Sequence, residues 1–271
     1  MAQTDMATPQ EPAENEGLCV AQTHGSTRLL WLNQPSRRNA LSPELRAELL
    51  ENLRAANSDE TIRAIVIAGV QGCFSAGGDI STMKGITSVA GRARMQNAAD
   101  LMQTVIDGPK PVIAAVEGWC VGAGLSLAAA CDIVIAGQDS KYSMPFGKLG
   151  LIPDLASLYT LPQRIGMGRT KWLTYTRRTI DADTAMHWGL TEDVVAAGQA
   201  VASALAMAED IGKGAPLTNT YAKQLLSRLP LPLPEFLAAE RDTQAILYSS
   251  EDFAEGYKAF FEKRAAVFKG N

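Results

Sequence analysis

The fold is decided by the stretch GWCVGAGLSLAAACD, residues 118–132. It lies between two apolar runs rich in valine and isoleucine, residues 111–116 and 133–136. Runs of this length and composition predict buried strands. The glycines predict a tight loop, and the small residues after them have good helix propensity. The sequence therefore predicts a strand, a glycine-rich loop, a helix and a second strand in this order.

The start of this predicted helix has the features of an anion-binding site. The first N–H groups of a helix have no partner within the helix, and the helix dipole favours negative charge at the same place. Ala123 stands at this position and is small enough to let a ligand oxygen come close to the backbone. We therefore expect the helix start to bind an anion or an oxyanion.

A second loop of small residues precedes this stretch. Residues 73–79 read CFSAGGD and follow residues 62–68, which predict another buried strand. Glycine-rich turns after strands are common, so this loop alone is weak evidence of function. Two such loops on parallel strands could, however, each direct one N–H at the same carbonyl oxygen. That arrangement is an oxyanion hole, in which each donor stabilises developing charge by a few kcal/mol.

The rest of the chain predicts strands and helices first and mostly helices in the last third. Residues 18–33 predict a hairpin, and Ser42 is the N-cap of a predicted helix. The last predicted helix places Phe253, Tyr257 and Phe260 on one face. An apolar face left over in a terminal helix indicates burial against a neighbouring subunit.

Composition and charge argue against several classes of protein. With 46% hydrophobic and 20% charged residues, the chain has the composition of a soluble globular protein. Its net charge of −4 argues against a nucleic-acid-binding surface, and no apolar run approaches the roughly 20 residues that span a bilayer. The four cysteines form no CxxC pair and there are two histidines, so neither a disulfide framework nor a metal site is predicted. We expect free thiols and a cytoplasmic location.

The first 17 residues differ in character from the rest. They are polar and acidic and lack lysine and arginine, whereas secretory signals and mitochondrial presequences are basic. Residues 1–17 therefore predict a disordered acidic tail.

Three motifs, in the right order, resemble the enoyl-CoA hydratase/isomerase (crotonase) family. They are FSAGGDI at residues 74–80, the stretch at 118–131, and LGLIPD at 149–154. Including similar segments near both ends, the resemblance covers residues from about 18 to 270.

This resemblance implies an α/β fold built as a spiral of ββα turns, which would cover residues 18–210 with an acyl-CoA site. It further implies a C-terminal helical trimerisation region over residues 211–271, so that the protein would be a homotrimer or a dimer of trimers. The implied ligand is an acyl-CoA thioester, with coenzyme A as part of the substrate and no metal or redox cofactor.

The resemblance also assigns site residues. In that family two backbone N–H groups hold the thioester oxygen, and the motif match gives them as those of Ala76 and Ala123. Gly77, Gly78 and Asp79 would shape the loop against the CoA moiety.

The acidic residues depart from the family hydratases. Those enzymes use two glutamates to position and activate water, and the matching positions here are Ser126 and Phe146. Neither can act as a carboxylate base, so hydration by the usual pair is not expected. Asp154, however, matches the place where the working acid lies in enoyl-CoA isomerases, the ring isomerase of phenylacetate degradation and an aryl-CoA dehalogenase. The segments at 144–150 and 159–162 look most like the isomerases.

A single carboxylate is sufficient for isomerisation. Moving a double bond from C3=C4 to C2=C3 of an acyl thioester requires removal of one proton next to the carbonyl and return of one two carbons away. The apolar neighbours of Asp154 should raise its pKa, which helps it hold the proton between the steps. The resemblance and this chemistry favour a Δ3,Δ2-enoyl-CoA isomerase, whereas by sequence alone Asp154 could simply cap the following segment.

Other interpretations of the same residues remain open. Ser126 lies in a GxSxA sequence, and Asp154 and His187 follow in the order of a serine hydrolase, but an elbow would put the serine directly at the end of the strand. A dinucleotide site lacks its third glycine, because position 127 is leucine. Dehalogenation would need a histidine near the ring, and neither histidine lies between the two loops.

A non-catalytic acyl-CoA-binding homologue is the alternative from a different class. Leu155, Ala156 and Ser157 occupy a place that is often Gly-Gly in the family. Their bulk could narrow the acyl pocket or turn Asp154 away from it. Another reaction of the family on a thioester, by a hydratase, lyase or hydrolase, is a further alternative.

Overall fold

The computed structural model describes residues 9–271, in which strands and helices alternate up to residue 200 and helices follow. The strands are β1 (Cys19–His24), β2 (Thr27–Leu32), β3 (Ala64–Gly69), β4 (Val112–Val116), β5 (Trp119–Val121), β6 (Ile133–Gly137), β7 (Lys141–Ser143), β8 (Ile180–Asp181) and β9 (Asp193–Val195). The α-helices are α1 (Pro43–Ser58), α2 (Ser88–Asp107), α3 (Ala123–Ala130), α4 (Ser157–Thr176), α5 (Ala182–Trp188), α6 (Ala200–Gly212), α7 (Pro216–Leu226), α8 (Leu233–Leu247) and α9 (Glu251–Glu262).

Two sheets organise the chain. The larger has the strand order β1-β2-β3-β4-β6-β9, in which β1 and β2 form an antiparallel hairpin and the other neighbours are parallel. The smaller has the order β5-β7-β8, with β5 and β7 parallel. The hairpin confirms the prediction for residues 18–33.

The parallel pairs repeat one unit. Strand β4 of the large sheet leads into β5 of the small sheet and then α3, and β6, β7 and α4 repeat the same path one position further along. Each turn therefore adds one strand to both sheets and one helix outside them. This is the predicted spiral of ββα turns.

Apolar side chains cover both faces of the large sheet. On one face they pack against α1 to α5, with Leu45, Leu49 and Leu53 of α1 fully buried. On the other face α6 contributes Val201 and Leu205 to a second cluster. Because β3 and β4 are buried on both faces, they carry the continuous apolar runs that the sequence shows.

In residues 9–17 the structure differs from the disordered acidic tail that the sequence predicts. Residues 1–8 lie outside the described residues. Glu14–Glu16 form a short 3₁₀ turn, and the Asn33 side-chain amide donates hydrogen bonds to the carbonyls of Ala13 (2.8 Å) and Gly17 (2.9 Å). Asn33 thus holds the residues just before β1 against the hairpin. The composition of residues 1–17 could not predict this, because Asn33 lies outside them.

The C-terminal helices leave apolar side chains in solvent. Helix α8 has no buried residue, and Phe260 on α9 is 78% exposed. Asp252, by contrast, is buried and accepts hydrogen bonds from the N–H groups of Lys269 (2.7 Å) and Gly270 (2.9 Å), which fixes the end of the chain. Trimerisation through this region stays a prediction. None of the helices in residues 9–271 is long and apolar enough to cross a membrane.

Candidate active site

Helix α3 begins at Ala123, directly after a strand and a glycine turn. Gly122 has a φ of +52°, and its N–H donates to the carbonyl of Ser143 (2.9 Å), which ties the turn to β7. The N–H of Ser126 makes the first bond to the turn, to Gly122 O at 2.9 Å. Within residues 9–271 the N–H groups of Ala123 and the two residues after it have no acceptor. The helix start therefore presents free donors, as expected of an anion-binding helix terminus.

The loop after β3 runs alongside β5 and ends against this helix start. Ser75 N–H donates to Trp119 O (2.9 Å), and Val121 N–H donates to Ser75 O (3.0 Å). Gly77 has a φ of +109°, and a Cβ placed on it would lie 2.9 Å from Val121 O and 3.7 Å from Ala123 N. Only glycine fits this close approach, so the two glycine-rich loops lie side by side.

The structure corrects the prediction for Ala76. Its N–H donates to the carbonyl of Arg38 at 2.9 Å, and the next N–H, of Gly77, donates to Ser75 Oγ at 3.2 Å. Gly78 N–H has no acceptor in the described part of the chain. Because a donor already used inside the protein cannot also hold a thioester oxygen, the candidate donors are Gly78 and Ala123. The sequence does not show that Gly78 supplies the free donor. The N–H of Ala76 is occupied by the carbonyl of Arg38, which lies 38 positions earlier in the chain.

Asp79 fixes the loop rather than facing a ligand. Its carboxylate accepts hydrogen bonds from Ser81 N–H (3.0 Å) and Ser81 Oγ–H (2.6 Å) and pairs with the guanidinium of Arg37. These bonds, those from Ser81 first, lower the pKa of Asp79 below its ordinary value. The residue thus holds the turn that follows Gly78 in place.

The two residues that the sequence resemblance aligns with catalytic glutamates, Ser126 and Phe146, cannot activate water. Ser126 is fully buried, and its hydroxyl donates to Gly122 O at 3.1 Å. Phe146 is buried beside Gly122, where an added Cβ would lie 3.7 Å from the ring. A nucleophilic Ser126 is also contradicted, because its hydroxyl is used by its own helix and His187 is exposed on α5.

Asp154 lies on a cavity of about 800 Å³ with a predominantly apolar lining. Its Oδ1 is buried and has no hydrogen-bond partner among residues 9–271. Burial raises the pKa of Asp154 above its ordinary value, and the positive charges of Arg46 and then Arg94 partly offset the effect. Helix α4 has Ala156 as its N-cap with no side-chain cap, so Asp154 does not cap the segment after it. A half-buried carboxyl with a raised pKa and an unpartnered oxygen, on a cavity, is typical of a catalytic acid–base group.

The turn that carries Asp154 is unusual. Leu155 and Ala156 have φ values of +49° and +57°, the left-handed region that side chains with a Cβ rarely adopt. Leu155 is buried in the core, so its side chain fixes the turn. The cavity is not closed by these residues, and Asp154 lines it.

The short 3₁₀ turn Ile80–Met83 connects the two halves of the site. Ile80 and Met83 line the cavity of Asp154, and a Cβ placed on Gly78 would lie 3.4 Å from Met83 Cε. The cavity therefore extends from the carboxyl towards the loop that holds the Gly78 donor. In residues 9–271 no group of three or more His, Cys, Asp or Glu side chains is placed to hold a metal ion.

Comparison with known proteins identifies the family. A sequence model described as enoyl-CoA hydratase/isomerase matches residues 23–271. The chain is 37% identical over 254 residues to the "Probable enoyl-CoA hydratase" of Rhizobium meliloti, which covers 92% of this chain and 97% of the relative. It is 33% identical over 246 residues to the 1,2-epoxyphenylacetyl-CoA isomerase of Escherichia coli, covering 89% and 94%.

A solved structure agrees with these matches. The enoyl-CoA hydratase of Bacillus anthracis superposes with a TM-score of 0.89 at 30% identity, covering 94% of this chain and all of that one. The fold and the matched sequence thus define the class, a crotonase-fold enzyme that processes thioesters. The chain belongs to the enoyl-CoA hydratase/isomerase family, which acts on acyl-CoA thioesters.

Proposed function

We propose that the protein is an acyl-CoA isomerase that moves a double bond from the Δ3 to the Δ2 position. The observation that carries this proposal is the distribution of acids at the site. Asp154 is a half-buried carboxyl on the apolar cavity, whereas Ser126 and Phe146 stand where the resemblance aligns the two glutamates of the family hydratases. One acid beside two N–H donors suffices to shuttle a proton but lacks the second carboxylate that activates water.

In the proposed reaction, ionised Asp154 removes a proton from C2 of the 3-enoyl thioester. The electron pair of the broken C2–H bond forms a C1=C2 double bond while the carbonyl π pair moves onto the thioester oxygen, and the resulting dienolate is stabilised by the N–H groups of Gly78 and Ala123. Asp154 then delivers the proton to C4. The C3=C4 pair forms the new C4–H bond, the C1=C2 pair moves into the C2–C3 bond, the carbonyl re-forms, and the product is the 2-enoyl thioester. Proton and electrons balance within the substrate and Asp154, so the reaction needs no metal or redox cofactor.

The environment of Asp154 suits both steps. As a base it must be ionised, and as an acid it must hold the proton until C4 receives it. Burial raises its pKa, and Arg46 and Arg94 limit the rise. Since only the ionised form removes the first proton, the rate should increase with pH through the raised pKa and then level off.

The relatives are named for both reactions, a hydratase in Rhizobium meliloti and an isomerase in Escherichia coli. Hydration of a 2-enoyl thioester would require Asp154 alone to position and deprotonate water. A protein that binds acyl-CoA without turnover is the other alternative, since it needs only the two N–H donors. The test below separates all three.

The test uses 3-hexenoyl-CoA in heavy water, followed by mass spectrometry. We expect the wild type to form 2-hexenoyl-CoA and to incorporate deuterium at C2 and C4. Asp154→Asn keeps the size and removes the base, so both processes should slow by about 10²-fold or more. Asp183→Asn, an exposed acid on α5, is the matched control and should behave as wild type.

Two outcomes would contradict the proposal. Addition of water to 2-hexenoyl-CoA, offered in a parallel assay, with no conversion of 3-hexenoyl-CoA would identify a hydratase. Tight binding of hexanoyl-CoA with neither deuterium incorporation nor a shifted double bond would identify a non-catalytic binding protein.

A further inference from the structure

A buried arginine that the proposed reaction does not require lies beside the site. Arg46 on α1 is 8% exposed, and its Nε is buried without a hydrogen-bond partner within residues 9–271. In the same residues its guanidinium forms neither an ion pair nor a hydrogen bond with another side chain. Burial of the Nε without an acceptor is costly, since this N–H loses its hydration and gains nothing in return. Such a group is expected to have an anionic partner that the chain itself does not supply.

Arg46 lines a second cavity, of about 340 Å³, between α1 and α2. This cavity shares Ile86 and Arg94 with the larger cavity that Asp154 lines, so the two are neighbours across these side chains. Arg94 is held from the other side, because its Nη1 donates to Thr82 Oγ1 at 2.9 Å. A chain extending from Asp154 past Ile86 would therefore reach a space bordered by two guanidinium groups.

The charges around this space favour an anion. Burial and then the neighbouring charge of Arg94 lower the pKa of Arg46, which shows that the two cations lie within electrostatic range of each other. Asp154 is in range of both but forms no ion pair with either. The other acids near Arg46 are Glu44 and Asp100, which are exposed at the edge and are hydrated by solvent. Arg46 and Arg94 face one half-buried carboxylate, that of Asp154, which leaves one positive charge to be neutralised.

We propose that the acyl group of the substrate carries a carboxylate at its far end and that Arg46, assisted by Arg94, binds this carboxylate. The inference rests on the proposed function for the position of the acyl chain along Asp154. A guanidinium binds a carboxylate through two parallel hydrogen bonds. Because this geometry is strict, only an acyl chain of the right length would place its carboxylate at Arg46. The substrate class is then an ω-carboxyacyl-CoA thioester rather than an ordinary fatty acyl-CoA.

The test measures binding of saturated thioesters, so it does not depend on catalysis. Affinities of adipoyl-CoA and hexanoyl-CoA, and of suberoyl-CoA and octanoyl-CoA, are compared by calorimetry. We expect the wild type to prefer one of the carboxylated ligands over its methyl-ended partner by about tenfold to a hundredfold. In Arg46→Met that ratio should fall to about one, whereas Arg46→Lys should retain part of it.

Arg92→Met is the matched control, because it removes an exposed positive charge from the same helix as Arg94. It should keep the ratio of the wild type. If Arg46→Met does not fold, as judged by its thermal transition, Arg94→Met tests the same subsite and should lower the ratio severalfold.

A ratio near one in the wild type for both chain lengths would overturn the proposal, as would equal ratios in wild type and Arg46→Met. A preference for carboxylated ligands with no isomerisation of any 3-enoyl-CoA would keep this subsite and reject the isomerase. Isomerisation of 3-hexenoyl-CoA without a preference would do the opposite.

Discussion

Ala123 occupies a position of α3 where the loss of an N–H removes no helical hydrogen bond. As the first helical residue, it has an N–H that makes no hydrogen bond inside α3, and proline is tolerated at this place because its fixed φ suits a helix start. Its N–H can therefore be removed by substitution, which is rarely possible for a backbone group.

We predict that Ala123→Pro lowers kcat by about 10²-fold, the typical effect of removing one oxyanion donor. Ala123→Gly keeps the N–H and should retain most of the activity. The measurement is steady-state isomerisation together with binding of hexanoyl-CoA, because the proline ring also occupies space. A kcat equal to that of Ala123→Gly would show that this N–H does not stabilise the transition state.

The site residues that could be predicted from the sequence are those whose role depends only on their neighbours in the chain. Ala123 could be predicted because a helix start after a glycine loop has free donors whatever surrounds it. Gly78 could not be predicted, since its role depends on Arg38 occupying the N–H of Ala76. The left-handed turn at Leu155 also leaves no mark in the sequence, because nothing in a leucine reports a positive φ.

At the scale of elements, the contact between β4 and α6 depends on a buried carboxyl. Glu117 follows β4 and is 8% exposed, and its Oε1 accepts the N–H of Ala200, the first residue of α6, at 2.8 Å. Burial raises the pKa of Glu117, the hydrogen bonds it accepts lower it, and the nearby Asp139 adds to the rise. The net direction is upward, so the ionised side chain destabilises the fold.

The sign of the pH dependence follows from this direction. A carboxyl with a higher pKa in the folded than in the unfolded state takes up a proton on folding between the two values. The loss of folding stability caused by the ionised carboxylate is complete above the pKa of the folded state, and it disappears below the pKa of the unfolded state. The junction should therefore become more stable as the pH falls through the raised pKa of Glu117.

We predict that Glu117→Gln is as stable as the wild type or up to about 1 kcal/mol more stable at neutral pH, because the amide keeps the acceptor for Ala200 and carries no charge. The wild type should gain stability relative to this variant as the pH falls from neutral through the raised pKa of Glu117. Urea unfolding at several pH values measures both, with Glu51→Gln on the exposed side of α1 as the control. A large loss of stability that does not change with pH would refute the explanation.

The helices and strands that could be predicted are those whose own residues carry a cap or a periodic apolar pattern. Helix α1 has Ser42 as its N-cap, whose hydroxyl accepts the N–H of Leu45 at 3.1 Å, followed by a proline and an apolar stripe. Strand β5 was predicted as part of a loop, and β8 and β9 are only two and three residues long. Such short strands are too brief for a periodic pattern, and they form because the neighbouring strands and loops present partners.

At the scale of the whole molecule, α9 presents an aromatic face that no other part of residues 9–271 covers. The rings of Tyr248, Phe253, Tyr257 and Phe261 follow one another with centroid separations of 5.2, 6.3 and 4.9 Å, and Phe260 lies beside the last of them at 5.4 Å. A patch of this kind on a terminal helix is typical of a subunit interface.

We predict that the protein forms a trimer, or two stacked trimers, and that Phe260→Asp together with Phe261→Asp shifts it to the monomer. Burial of each aromatic side chain in an interface contributes roughly 1.5–3 kcal/mol, which an aspartate loses. Light scattering after size exclusion measures the mass, and Lys258→Ala on the same helix serves as the control. An unchanged mass in the double variant would place the interface elsewhere.

Helix α3 differs from the other helices in that all eight of its residues are buried. It has no solvent-facing side along which it could shift, and alanine and glycine leave it in tight contact with its surroundings. We therefore expect its donor end to open slowly, together with the sheet, and not as a mobile lid. Local fraying cannot remove the oxyanion-binding group, and this half of the site persists on heating until the sheet itself melts.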